Sequence, residues 1–257
     1  MTIEDFLNVG RIRSKMSVYR RRKEKALEIC VKAFENAHSP YLALSGGKDS
    51  VAMSFIVDDA ARMCGKEFRM WTHLSDASFP GTRETCEAVT KKLNRPLDLD
   101  ICRTSAFDFL QNKQKTAFGK SGVFFNAVRK YAEDKDLAFV GVRAMESRRR
   151  RRAANIHGPL FYSESMGEVT VCHPLLYFSL EDVAAALYEY NAPIHPIYRK
   201  TSLDLGVNSQ GEENFIRLSY LTSKDLLNKG TALFIKLNYP EQFSKLCKAW
   251  PEIRTYI

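Results

Sequence analysis

The sequence predicts an α/β protein built on a doubly wound parallel sheet, with a helix ahead of the sheet and a helical appendage behind it. Three observations carry that expectation. Short apolar runs alternate with segments of helical period, the runs end in polar or charged residues, and Leu137-Ala138-Phe139-Val140-Gly141-Val142 is apolar on both faces, as a central parallel strand must be. In such a sheet ligands bind beyond the carboxyl ends of the strands.

The elements follow in order. Phe6, Leu7, Ile12, Met16, Tyr19, Ala26, Ile29, Cys30, Ala33 and Phe34 recur at spacings of three and four, and no breaker stands between Arg11 and Asn36, so residues 1–38 read as one basic helix. Tyr41-Leu42-Ala43-Leu44 is the first strand, and the run from Val51 to about Met63 is a buried helix with Gly65 as its stop. Phe68 to Leu74 is a second strand, Gly81 to about Leu93 a helix, and Pro96 to Ile101 a third strand. Ser105 to Tyr131 has a helical pattern interrupted at Gly119-Lys120-Ser121-Gly122, which reads as a loop. The strand at Leu137 ends in Arg143. A strand from Val169 to about Leu176, a helix from Leu180 to about Tyr190 and an irregular stretch Asn191–Pro196 complete a core of residues 39–200, and residues 201–257 read as the helical appendage.

Composition narrows the class. A chain of 257 residues with 45% hydrophobic content can bury a full core. No stretch approaches the roughly 18 consecutive apolar residues of a membrane helix. Met1-Thr2-Ile3-Glu4-Asp5 has neither the charge nor the apolar core of a signal peptide, so the expected compartment is the cytoplasm. Cys30, Cys64, Cys86, Cys102, Cys172 and Cys247 show no CxxC pair and no metal-ligand spacing, and read as buried thiols. The formal charge of +9 comes from 39 basic against 30 acidic residues, concentrated near the start (Arg11, Arg13, Lys15, Arg20, Arg21, Arg22, Lys23, Lys25) and at Arg148 to Arg152. Such a balance favours polyanionic partners. The N-terminal run reads as a solvated face or as a surface for nucleic acid or a protein partner.

The chemistry concentrates at Ser45-Gly46-Gly47-Lys48-Asp49-Ser50, between the first strand and its helix. Adjacent glycines let the backbone turn sharply, and successive N–H groups ahead of a helix make a concave anion site. Lys48 adds a point charge for phosphate oxygens, Ser45 and Ser50 add hydroxyls, and Asp49 suits the first helical turn. The four-residue spacer and second glycine of the common P-loop are missing.

All six positions instead resemble the SGGxDS loop of the PP-loop ATP pyrophosphatases, whose members cleave ATP between the α- and β-phosphates. Gly141-Val142-Arg143-Ala144-Met145-Glu146-Ser147-Arg148-Arg149-Arg150 resembles the glycine-x-arginine segment of the phosphoadenosine phosphosulfate (PAPS) reductase family within that adenine nucleotide alpha hydrolase-like fold. So do Pro174-Leu175-Leu176, Leu180-Glu181-Asp182-Val183 and Pro196-Ile197-Tyr198, so that the resemblance spans about Tyr41 to Tyr198. It implies that Arg143 and Arg150 contact phosphate or sulfate oxygens and that Glu146 orients one of them. A guanidinium suits this because its planar fork binds phosphate bidentately. Asp76, just beyond the second strand, is a candidate Mg²⁺ ligand as well as a nucleotide contact. His195 reads as a loop residue packing on Tyr198, the alternative being a proton carrier.

Departures from the family matter too. Its reductases use a cysteine in a Glu-Cys-Gly-Leu-His motif, which this chain lacks; Cys247 stands alone in Lys245-Leu246-Cys247-Lys248. Their loops also lack the lysine, whereas Lys48 is present here. The expectation is therefore an enzyme that binds ATP and Mg²⁺ and releases pyrophosphate while adenylating an acceptor, with Lys48, Arg143 and Arg150 at the reacting phosphates. The alternatives are a thiol-dependent reductase of an adenylyl sulfate and a nucleotide-binding module that holds nucleic acid without catalysis. An oligomer is compatible with all three.

Overall fold

The computed structural model describes residues 1–102, 106–107, 123–201, 218 and 230–256. The interruption expected at Gly119–Gly122 and residues 202–217 and 219–229 of the appendage lie outside them.

Helix α1 (Ile3–Arg13) opens with a capping box in which Thr2 accepts from the Asp5 N–H and Asp5 accepts from the Thr2 N–H. Helix α2 (Ser17–Phe34) follows. One helix is expected over residues 1–38 and two are found, a correction whose cause is packing. Gly10 of α1 lies so close to a helix near residue 184 that a Cβ there would stand 2.2 Å from the Ala184 carbonyl oxygen. The chain therefore turns at Ser14–Met16 so that α2 can lie on a different neighbour. Sequence period cannot report such a turn, because Ser14, Lys15 and Met16 are all compatible with helix.

The sheet comprises β1 (Pro40–Ala43), β2 (Arg69–Leu74), β3 (Leu97–Ile101), β4 (Leu137–Phe139), β5 (Leu160–Ser163) and β6 (Val169–Cys172), in the order β3-β2-β1-β4-β6-β5. Every pair is parallel except β5–β6. Helix α3 (Lys48–Cys64) links β1 to β2 and α4 (Thr82–Leu93) links β2 to β3. Helix α5 (Val123–Ala132) precedes β4, α6 (Arg148–His157) follows it, and α7 (Leu180–Glu189) follows β6. Helices α8 (Thr231–Asn238) and α9 (Pro240–Ala249) and a 3-10 turn over Pro251–Tyr256 make most of the described part of the C-terminal segment helical, as expected.

Alternation along the strands divides the core. Leu42, Leu44, Met70, Leu137 and Phe139 join the cluster that contains α1, α2, α3 and α7, while Tyr41, Trp71, Ala138, Val169 and Val171 pack with α5 on the opposite face. The order reverses between β1 and β4, which puts the switch point beside Ser45 and Arg143. Two elements are absent from the sequence reading. β5 is a four-residue antiparallel edge whose Tyr162 is exposed, and α6 buries no residue, so neither shows a core-facing pattern.

Basic residues of the N-terminal helices are partly consumed inside the fold. Arg13 Nε donates to Asp182 at 2.7 Å, Arg22 pairs with the same buried carboxylate, and Lys23 meets Glu189 at 2.9 Å. Among the described residues no helix is long and apolar enough to cross a membrane.

The tight crossing of α1 and α7 generates a test. Replacing Gly10 with Val should lower the free energy of unfolding by about 1–3 kcal/mol, the usual effect of overpacking, read as a lower urea midpoint at unchanged slope. An unchanged midpoint would show that α1 does not lie against Ala184.

Candidate active site

The loop after β1 is built from its own side chains. Gly46 adopts a left-handed φ of 74°, which a residue with a Cβ adopts with strain, and its missing Cβ leaves room for Cys86 and Thr82 behind the loop. Ser50 Oγ donates to the Gly47 carbonyl at 3.0 Å and accepts the Ser45 N–H at 3.2 Å, while the Ser45 and Ser50 hydroxyls meet at 3.0 Å. Gly47 is the N-cap, so α3 begins at Lys48, three residues earlier than the apolar pattern shows. Tyr198 Oη accepts the Lys48 N–H at 3.0 Å. Among the described residues the N–H groups of Gly46, Asp49 and Ser50 meet no acceptor and lie where a helix N-terminus favours an anion.

Charges alternate through the site. Lys48 Nζ lies 2.6 Å from Asp49 Oδ2, and Arg143 Nε donates to Asp49 Oδ1 at 2.5 Å. Arg143 Nη2 stands 3.8 Å from Glu146, whose other oxygen pairs with Arg150. The Lys48 and Arg143 side chains are 2% and 0% exposed, so the carboxylates are what makes the burial of these cations tolerable. Burial opposes the charge on Asp49, but the attraction of Arg143 and Lys48 and their hydrogen bonds outweigh it and hold the carboxyl well below its usual range. Arg143 reaches Asp49 because residue 141 is glycine. A Cβ there would lie 3.1 Å from the Ser50 nitrogen, so the strand extension passes directly over the first turn of α3.

The structure thus gathers Ser45, Gly46, Gly47, Lys48, Asp49, Ser50, Arg143, Glu146 and Arg150 at one end of the sheet. Asp76 lies at the end of a different strand. It follows β2, is exposed, and accepts the Ala106 N–H at 2.9 Å. Among the described residues no group of three or more His, Cys, Asp or Glu could hold a metal, although a single exposed carboxylate suits Mg²⁺ bound mainly through phosphate oxygens.

Two residues are missing from the sequence reading of the site. Tyr198, noted there only within Pro196-Ile197-Tyr198 and as the residue on which His195 packs, closes the first turn of α3. His173 directly follows β6, where burial and then the charge of Arg150 push its imidazole down to about 4. Reading the strand on to Leu176 hid it; an end at Cys172 puts His173 at a carboxyl terminus. His195 packs edge-on to Tyr198, accepts the Ile197 N–H at Nδ1 and reaches Thr82 at 3.0 Å through Nε2. Burial pushes it down to about 4, against the opposing pull of Glu84, so the imidazole is neutral near neutral pH.

A glycine loop with a lysine at the switch point of a parallel sheet defines a nucleotide-binding protein of the PP-loop, adenine nucleotide alpha hydrolase-like class. Residues 39–220 match the phosphoadenosine phosphosulfate reductase domain, and the chain belongs to that family. No curated protein matches the chain in sequence. Its structure is similar to FMN adenylyltransferase from Candida glabrata, at 14% identity and a TM-score of 0.56 over 79% of this chain and 70% of that one. It is similar also to NMN synthetase from Francisella tularensis (13%, 0.51, 93% and 95%) and to phosphoadenylyl-sulfate reductase from Candida auris (15%, 0.50, 82% and 96%). At these identities the likeness shows the fold.

The depressed Asp49 carboxyl sets a pH dependence. Its folded value lies below the unfolded one of about 3.9, so its stabilisation is complete at higher pH and is lost as pH falls through the folded value. Asp49→Asn should cost about 3 kcal/mol at pH 7, because two buried cations lose their counter-charge. It should also flatten the fall in stability below about pH 4. Equal slopes of unfolding free energy against pH in the two proteins would remove Asp49 from the ion cluster.

Proposed function

We propose that the chain is an ATP-using enzyme of the phosphoadenosine phosphosulfate reductase family that transfers AMP to an acceptor and releases pyrophosphate. The observation that carries the reading is the pair of buried cations, Lys48 and Arg143, held on Asp49 at the N-terminus of α3. An acceptor nucleophile attacks the α-phosphorus, the bond to the bridging oxygen breaks, and the electron pair leaves with pyrophosphate. Lys48 and the loop N–H groups stabilise the charge growing on the leaving group, and Arg143 and Arg150 hold the α-phosphate. Mg²⁺, held by Asp76 and phosphate oxygens, would neutralise part of the same charge. The FMN adenylyltransferase of the same fold has been seen with an ATP analogue and with pyrophosphate, which agrees with this use of the site.

The reductase reading has less support. All six cysteines are free thiols, and four of them are buried. Cys86 lies behind the phosphate loop, but burial, only partly offset by a hydrogen bond with Thr72, pushes its thiol up to about 11; Cys30 is also raised, again mainly by burial. A nucleophilic thiolate needs the opposite environment.

Two measurements test the proposal. Lys48→Ala should weaken ATP binding by about 1.5–3 kcal/mol and leave AMP binding nearly unchanged, since the lysine meets phosphates that AMP lacks; equal calorimetric losses for both would take Lys48 out of the pyrophosphate site. Pyrophosphate release, assayed with ATP alone, with sulfate and with nucleic acid, should survive replacement of all six cysteines by Ser or Ala in a variant that folds. Loss of turnover on changing Cys247 alone would favour the reductase instead.

A further inference from the structure

We propose that α6 is a docking surface for single-stranded nucleic acid, placed to hold a phosphodiester backbone beside the phosphate loop. Arg148, Arg149, Arg151 and Arg152 are all exposed, none makes an ion pair among the described residues, and the helix contains no acidic residue. Arg150 alone turns inward, to Glu146. Four cations on one exposed helix with no internal counter-charge are the footprint of a polyanion.

The N-terminal run, where the sequence suggests such a surface, is built differently. Arg13, Arg22, Lys23 and Lys25 meet Asp182, Glu189 and Glu28, and Glu4, Asp5, Glu24, Glu28 and Glu35 are interspersed with the cations that stay exposed. Its cations mostly hold the fold together or lie among acids.

Position strengthens the case for α6. The helix starts directly after the turn Ala144–Glu146, whose acid holds Arg143 and Arg150, with Ser147 as its N-cap. It ends just before β5, whose first residue, Leu160, pairs with Cys172 at the carboxyl end of β6. Both ends of the helix therefore lie on the carboxyl-end side of the parallel strands, where the candidate site is. Exposed apolar side chains flank it. Met145 and Tyr177 stand beside its start, where the Ala144 N–H meets the Leu176 carbonyl at 2.9 Å, and Ile156 lies near its end. Tyr177 is 47% exposed and offers a ring on which an unpaired base can stack. A duplex keeps its base faces covered, so the tyrosine favours a single strand. This surface does not depend on the ATP chemistry proposed above.

The test is fluorescence anisotropy with labelled single-stranded RNA and DNA of about 20 nucleotides, against a duplex of the same sequence and across salt concentrations. Four phosphate contacts predict a slope of log affinity on log salt of about −3, about a fifty-fold loss between 50 and 200 mM. Replacing Arg148, Arg149, Arg151 and Arg152 with Gln should abolish most of that slope and weaken binding at least tenfold at 50 mM salt, while calorimetry shows unchanged ATP affinity. The matching replacement of Arg11, Arg20, Arg21 and Lys25 should leave oligonucleotide binding within about twofold, and Tyr177→Ala should weaken it about tenfold, as loss of one stacked base does. Absence of oligonucleotide binding, an unchanged slope in the α6 variant, or a duplex bound as tightly as the single strand would overturn the proposal. A protein that binds the oligonucleotide through α6 but not ATP would sink the adenylyl-transfer reading and leave this one standing; ATP turnover without oligonucleotide binding would do the reverse.

Discussion

One carboxylate, that of Asp49, joins two buried cations brought from segments 94 residues apart in sequence. Lys48 and Arg143 could not share a desolvated corner without it, since two like charges in a low-dielectric site repel and each alone is costly to bury. Glu146 repeats the arrangement between Arg143 and Arg150. Along Lys48, Asp49, Arg143, Glu146 and Arg150 three positive groups alternate with two negative ones.

Backbone geometry makes that cluster possible. The parallel sheet puts the ends of β1 and β4 side by side at its switch point, and glycine at 141 lets the extension of β4 pass over the first turn of α3. Gly46 supplies the left-handed turn that starts α3 at Lys48, and Tyr198 holds that first turn from another part of the chain. Cations on a site held from three segments need little reorganisation when a charge develops, which is the condition for electrostatic catalysis.

The chain's excess positive charge has two different destinations. At the N-terminus arginines and a lysine bind the acids of α7, and this anchors α1 and α2 to the core. At α6 the arginines face outward beside the site. Composition alone treats both runs alike, because a count of charges is blind to where the counter-charges lie. Asp182 and Glu189 are some 160 residues away from the cations they neutralise.

Local chemistry made the glycine loop legible: a strand, two glycines, a lysine and a helix occur in immediate succession, and the turn follows from the conformational freedom of the glycines. The parallel sheet was legible for a similar reason, since strands buried on both faces are apolar throughout. The turn between α1 and α2, the edge strand β5 and the solvent-covered α6 left no such pattern, because contacts with distant elements or exposure decide them. His173 was hidden by a strand end set by pairing with β4 and β5, and Tyr198 by a hydrogen bond spanning 150 residues. The sequence by itself determined the fold class and the glycine loop that leads from β1 into α3, which depend on residues adjacent in the chain. Only the tertiary structure decided which charges neutralise one another and which face outward, because a charge's partner is set by distance in space.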